Sequence, residues 1–173
     1  MEKGNNIQDM KKGKTVICSD IDGEKYKVDS NQLIFRPSVY GIIIKNGKIL
    51  LSKQWGGYNL PGGGVDLGET IEETLKREIL EETGLKIKIG QIITCKNSFF
   101  KLPYSGINVQ SILIYYLCKT IGGKLSSKSF SEDEKQYSDH PEWVNLNKIS
   151  KLTFRCSVDS FEIIKEGIKK IKQ

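Results

Sequence analysis

The sequence predicts an α+β domain with a mixed β-sheet between two helices, and three observations carry that expectation. Pairs of short strand-like runs flank Asn46-Gly47 and Asp22-Gly23, dipeptides favoured by tight hairpins because both central residues need positive φ. Thr70 to Thr83 has helical apolar spacing and lies between strand-like segments. A second amphipathic stretch lies near residue 160, so strands lie before, between and after the helices.

Residues 1–13 lack periodicity and are expected to form a flexible tail, leaving 14–173 as one domain in which 14–35 is an N-terminal β extension. Thr15 to Cys18 and Lys25 to Val28 form the first predicted hairpin, and Val39 to Ile44 with Lys48 to Leu51 the second. The first helix opens on Thr70-x-x-Glu73, a capping-box pattern, and closes at Gly84 with Leu85 as the apolar contact beyond the cap. Strands follow at Ile87 to Thr94, at the Tyr-, Ile- and Leu-rich run Val109 to Lys119, and at Trp143-Val144. The second helix, Val158 to Lys170, sets Val158, Phe161, Ile164, Ile168 and Ile171 on one apolar stripe that should dock on the domain.

A chain of 173 residues with 38% hydrophobic and 28% charged residues can bury a core without staples. No apolar run approaches the roughly 18 residues of a membrane span, and the polar amino terminus resembles no secretory signal. The four cysteines are scattered without a CxxC pair, which points to reduced thiols in a cytoplasmic protein. The net charge of +6 is mostly lysine spread along the chain, with three arginines and no alanine, and is read first as a solvated coat rather than a nucleic-acid patch. From Gly63 to Leu85, however, seven acids face two bases, a net of −5 that leaves +11 elsewhere. An acidic island in a basic surround suits a cation and an anionic substrate.

On a helical wheel Ile71, Leu75 and Ile79 share the buried side, Glu78 and Glu82 run along its edge, and Glu81 lies on the same flank. Like charges beside a core repel and lose solvation, a penalty that a bound cation removes. Carboxylates without imidazole or thiolate select Mg²⁺ or Mn²⁺ over zinc. Leu60-Pro61-Gly62-Gly63-Gly64, just ahead, reads as a glycine turn able to bring backbone close to an ion or phosphate.

From Gly63 the chain reads G-x5-E-x7-R-E-I-x-E-E-x-G-L, with Glu69, Arg77, Glu78, Ile79, Glu81, Glu82, Gly84 and Leu85 each in place. This resembles the Nudix box at every defined position over 23 residues, with a looser likeness over roughly residues 36 to 172. The resemblance implies an α/β/α sandwich with the box as loop–helix–loop. It also implies a divalent-metal-dependent pyrophosphohydrolase, in which water attacks phosphorus of a nucleoside triphosphate or another nucleoside diphosphate derivative. Carried over, Glu78, Glu81 and Glu82 with the Gly63 carbonyl hold Mg²⁺ or Mn²⁺, and a Glu69–Arg77 ion pair supports the loop. The general base is either a box glutamate or one from a later loop, here Glu132 or Glu134, which also reads as a solvated cluster.

The short connection from Leu51 to Leu60 looks more like compact triphosphate hydrolases than ADP-ribose hydrolases, and Pro103 and Tyr104 match no subfamily mark cleanly. The +11 outside the box keeps an RNA 5′-pyrophosphohydrolase open as the alternative. A non-catalytic Nudix-like nucleotide sensor is disfavoured by the complete set of glutamates. Arg36, Trp55 and Tyr58 are candidate substrate contacts. Phe99, Phe100 and Tyr104 could also stack a base, though core packing is the commoner fate of an aromatic residue. The lone His140 reads as a turn residue, and Cys118 as a small buried hydrophobe.

Overall fold

A computed structural model describes residues 13–54, 56–126 and 140–171. Ten strands and two α-helices run through them in the order β1 (Thr15–Ser19), β2 (Lys25–Asp29), β3 (Ile34–Phe35), β4 (Ser38–Lys45), β5 (Lys48–Gln54), β6 (Gly57–Asn59), β7 (Gly62–Gly64), α1 (Ile71–Thr83), β8 (Leu85–Lys101), β9 (Asn108–Gly123), β10 (Glu142–Asn145) and α2 (Ser160–Ile171). The main sheet has the order β10-β5-β4-β9-β8-β1-β2, with β3 beside β9, β6 beside β5 and β7 beside β4. It is mixed, because β4 runs parallel to β9 and β1 parallel to β8, whereas β4 pairs with β5 and β8 with β9 in antiparallel fashion.

Strand alternation divides the core into two layers. Val39, Ile43 and Leu50 face α1 and pack with Leu75 and Ile79. Ile42, Ile49 and Leu51 face the other way and pack with Ile163 and Ile164 of α2. Each helix meets the sheet at a glycine. A Cβ at Gly41 would lie 2.6 Å from Ile79 Cδ1, and one at Gly167 would lie 3.0 Å from Ile42 Cδ1. Each fully buried Ile or Leu contributes about 1.5–3 kcal/mol, so these two layers hold the sandwich together.

Both hairpins form as expected, with Asn46 at φ 50° and Gly47 at φ 71° in the second. The capping box at Thr70 and Glu73 closes in both directions, and Gly84 ends α1 at φ 70° with its N–H donated to the Leu80 carbonyl at 2.8 Å. Three expectations shift. The strand placed at Ile87 to Thr94 extends over Leu85–Lys101, with register shifts between Ile89 and Thr94 that let its polar stretch stay paired to β9. Helix α2 begins at Ser160 rather than Val158, because the Asp159 carboxylate accepts the Glu162 N–H at 3.0 Å and leaves Val158 outside the helix. The glycine turn is instead strand β7, with Gly62, Gly63 and Gly64 opposite Tyr40, Val39 and Ser38.

Replacing Thr70 by Ala removes one arm of the capping box and should lower unfolding free energy by about 1 kcal/mol in chemical denaturation. Gly84→Ala should cost more than Thr70→Ala, since its Cβ would collide with the Lys124 carbonyl oxygen as well as strain the left-handed cap. Equal stability of Gly84→Ala and wild type would contradict the geometry of this junction.

Candidate active site

The acids of the box are organised by one arginine. Arg77 grips Glu69 in a two-pronged pair, Nε to Oε1 and Nη2 to Oε2, both at 2.8 Å. Its Nη1 donates to Glu78 Oε1 at 3.0 Å and to Glu81 Oε2 at 3.1 Å, and Nη2 also reaches Asp66 at 3.4 Å. Thr74, fully buried one turn earlier on α1, donates its hydroxyl to Glu69 Oε2 at 2.8 Å. The guanidinium and this hydroxyl hold the Glu69 carboxyl down at about 2, from an ordinary 4.5. In return the carboxylates raise the Arg77 pKa and keep it charged.

Glu82 is held differently. It is 7% exposed, and its Oε2 accepts the Ser52 hydroxyl at 2.9 Å and the Gly62 N–H at 3.1 Å, while Oε1 accepts the Gln54 amide at 3.2 Å. Neutral donors from β5 and β7 therefore share the charge of a carboxylate at the sheet–helix junction, which offsets part of its desolvation. The chain of contacts continues. Asn59 on β6 donates to Gln54 Oε1 at 3.4 Å and to the Arg155 carbonyl at 2.9 Å.

Beside Glu82 opens a cleft of about 240 Å³. Glu78, Glu82 and the Gly62 to Gly64 backbone line one part of it; Arg36, Lys101, Phe100, Tyr104 and Arg155 line others. The glycines make this possible. A Cβ at Gly63 would lie 2.5 Å from the Glu78 carboxyl carbon, and one at Gly64 would collide with the Arg36 guanidinium. Tyr40 and Tyr115 also line the cleft, their rings stacked at 5.4 Å, and burial pushes the Tyr40 hydroxyl up to about 12.

Several expected site residues thus come together: Gly63, Glu78, Glu82 and Arg36 share the cleft, with Glu69 and Arg77 behind them. Glu81, with a 43% exposed side chain, turns to Arg77 and does not line the cleft. Tyr58 packs against the α2-side core and donates its hydroxyl to Glu142 at 2.8 Å, and neither it nor Phe99 lines the cleft. His140 is exposed, whereas Cys118 is buried and its thiol is pushed up to about 12. Trp55, Glu132 and Glu134 lie outside the described residues. Sequence reasoning missed Ser52, Gln54, Asn59, Lys101, Arg155 and the hairpin residues Asp20 and Ile21. A usable signal existed for one of them, because in so lysine-rich a chain each arginine marks a place where a planar fork is needed.

Among the described residues no three His, Cys, Asp or Glu side chains are gathered as a metal site. The donor chemistry nevertheless fits a hard divalent cation. Glu78 and Glu82 bring carboxylate oxygens to one cleft, and only glycine at 63 leaves room for the Glu78 carboxylate beside the backbone.

Because the Glu69 carboxyl is held far below its ordinary value, its stabilising contribution is complete above pH 4.5 and is lost as pH falls toward 2. The gap in Tm between wild type and Glu69→Gln should be widest above pH 4.5 and close toward pH 2. A gap that does not change with pH would contradict the Arg77–Glu69 pairing.

Comparison with known proteins bears on the family and the fold. The profile of the NUDIX domain family matches residues 35–164. An ADP-ribose pyrophosphatase of Methanocaldococcus jannaschii is 35% identical over 150 residues, 84% of this chain and 78% of the relative. An RNA pyrophosphohydrolase of Shewanella pealeana is 43% identical over 75 residues, 40% of this chain and 43% of the relative. Among solved structures, an ADP-ribose pyrophosphatase of Streptococcus suis superposes with a TM-score of 0.59 at 19% identity, covering 80% of this chain and 92% of that one. A MutT protein of Methanosarcina mazei does so with a TM-score of 0.56 at 24% identity, covering 82% of this chain and 99% of that one. These structures share the fold, the α/β/α sandwich described above. With the box complete in sequence and folded as loop–helix–loop against a mixed sheet, the chain belongs to the NUDIX domain family and is a Nudix hydrolase acting as a pyrophosphohydrolase.

Proposed function

We propose that the substrate is a nucleoside diphosphate linked to a second moiety, with ADP-ribose the first compound to test, and that the reaction depends on Mg²⁺ or Mn²⁺. The observation that carries this reading is the single cleft in which Glu78 and Glu82 stand with Arg36, Phe100 and Tyr104. Carboxylates for a cation, a guanidinium for phosphate oxygens and aromatic faces for a base are the groups such a substrate requires. The relative matched over 84% of this chain is an ADP-ribose pyrophosphatase, which weighs against the triphosphate suggested by the short Leu51 to Leu60 connection.

In this reading Glu78 and Glu82, with the Gly63 carbonyl and Glu81 on the same flank, hold the divalent cation. When bound, the cation neutralises the diphosphate and lowers the pKa of a water. Arg77 keeps the Glu78 carboxylate in place, and Ser52, Gln54 and the Gly62 N–H fix the Glu82 carboxylate, so both are oriented before substrate arrives. Arg36, packed on Gly64, binds phosphate oxygens. The proton of the attacking water passes to a box glutamate or to Glu132 or Glu134 of the later acidic cluster. The bond broken lies inside the diphosphate, so a nucleoside monophosphate leaves, and ¹⁸O-water labels one phosphorus only. The second reading, removal of pyrophosphate from RNA 5′ ends, draws on the 43% identity to an RNA pyrophosphohydrolase over 75 residues and on the lysine-rich surface. A 5′-triphosphorylated RNA tested beside ADP-ribose separates the two.

Glu82→Gln retains an oxygen for Ser52 and Gly62, and rotation of the Gln54 amide accommodates the new NH₂, so the fold should persist. Turnover in Mg²⁺ should fall at least about 100-fold, since even a partner of a metal ligand is worth 10–100-fold. Near wild-type turnover would remove Glu82 from the site. Glu132→Gln or Glu134→Gln should depress kcat and leave Mg²⁺ affinity unchanged. Unchanged kcat in both would return the proton-accepting role to a box glutamate.

A further inference from the structure

Arg155 lies 78 residues beyond Arg77 and outside every motif of the box, yet its backbone and side chain are both fixed at the cleft. Its N–H donates to the Tyr58 carbonyl at 3.0 Å, and its own carbonyl accepts the Asn59 amide at 2.9 Å. The side-chain stem passes directly over Gly57, where a Cβ would lie 2.5 Å from Arg155 Cγ. Beyond that glycine the guanidinium reaches the turn of the N-terminal hairpin. Nη1 donates to Asp22 Oδ1 at 2.8 Å and to the Ile21 carbonyl at 3.4 Å. The turn is itself braced, since Asp20 Oδ1 accepts the N–H groups of Asp22 at 3.0 Å and Glu24 at 2.9 Å. The hairpin is pinned to the sheet by Ser19 beside Phe100 and by the Tyr26 hydroxyl on Asn108 at 2.8 Å.

Arg155 Nε is buried without a hydrogen-bond partner among the described residues. Orphaning a guanidinium N–H is costly, and the pair with Asp22, whose side chain is 70% exposed, returns little stability. A buried unsatisfied donor on a guanidinium at a cleft wall calls for an explanation, and a ligand role is one that the lining of the cleft supplies. Asp20 and Ile21 line the same cleft, although they precede the residues 35–164 that match the family.

We propose that Arg155 is a specificity-determining residue that binds the phosphate oxygens of a nucleoside diphosphate group in this cleft, and that the Asp20–Gly23 turn positions it through Asp22. The N-terminal hairpin is thereby part of the active site. This rests on the reading of the cleft as a nucleoside diphosphate site. It separates the duties of the two cleft arginines that follow no box pattern, Arg36 packed on Gly64 and Arg155 carried on β6 and the hairpin turn.

The test is calorimetric titration of the full chain with ADP, which needs no turnover, followed by steady-state kinetics on ADP-ribose. Arg155→Gln should weaken ADP binding about tenfold or more, as expected for a lost charged hydrogen bond. Arg155→Lys retains the charge but not the fork and should bind ADP several-fold more weakly than wild type, which keeps the test decisive if Arg155→Gln fails to fold. Asp22→Asn should raise KM a few-fold while kcat stays within about twofold, a split that a merely structural role would not produce. Wild-type affinity for ADP in Arg155→Lys, or no ADP binding by the wild-type chain, would overturn the proposal. If ADP binds and the variants weaken it but ADP-ribose is not hydrolysed, the substrate reading fails and the role of Arg155 stands.

Discussion

Asp66, Glu69, Glu78 and Glu81 crowd one helix and the loop that leads into it, and they stand together because Arg77 reaches all four. A lysine would deliver the same charge at one point. Only a planar fork can grip Glu69 with two nitrogens and still offer the third to Glu78 and Glu81. Isolated exposed pairs contribute little, but this arginine is 29% exposed and its contacts form a connected network with one two-pronged member. The loop from Gly64 to Thr70 therefore has a fixed course, which in turn fixes where α1 begins.

Glu82 ties this acidic network to the sheet. Its carboxylate sits where β5, β7 and α1 meet, held there by the Ser52 hydroxyl, the Gln54 amide and the Gly62 N–H. Moving Glu82 would disturb Gly62, and Gly62 at φ 141° is packed so tightly on the Val39 carbonyl that no other residue fits. The three glycines thus serve contact rather than flexibility: one against β4, one against Glu78 and one against Arg36.

Much of this was legible beforehand for local reasons. The hairpins, the capping box and the Gly84 cap are each set by a few adjacent residues, and the box spacing named the acids that the helix presents. The glycine run was harder to read because three glycines signal a turn by composition, and only pairing with Val39 and Tyr40 draws them into a strand. The extent of β8 was hidden by its alternating lysines and its irregular register near Gly90. The supporting partners of Glu82 could not be foreseen, since Ser52 and Gln54 lie about 30 residues away and are ordinary strand residues until folding brings them to the helix. The aromatic candidate Tyr58 packs against the core instead, because its strand pairs with β5 and bridges Phe154, turning its hydroxyl to Glu142.

In the proposed function Glu78 and Glu82 form one cation site at the head of the cleft, oriented in advance by Arg77 and by the donors of β5 and β7. Electron paramagnetic resonance of free Mn²⁺ titrated with the protein measures this without any substrate. Wild type should bind Mn²⁺, and Glu78→Gln and Glu82→Gln should each weaken that binding at least about tenfold while remaining folded. Mn²⁺ binding that is equally tight in both variants would contradict the site.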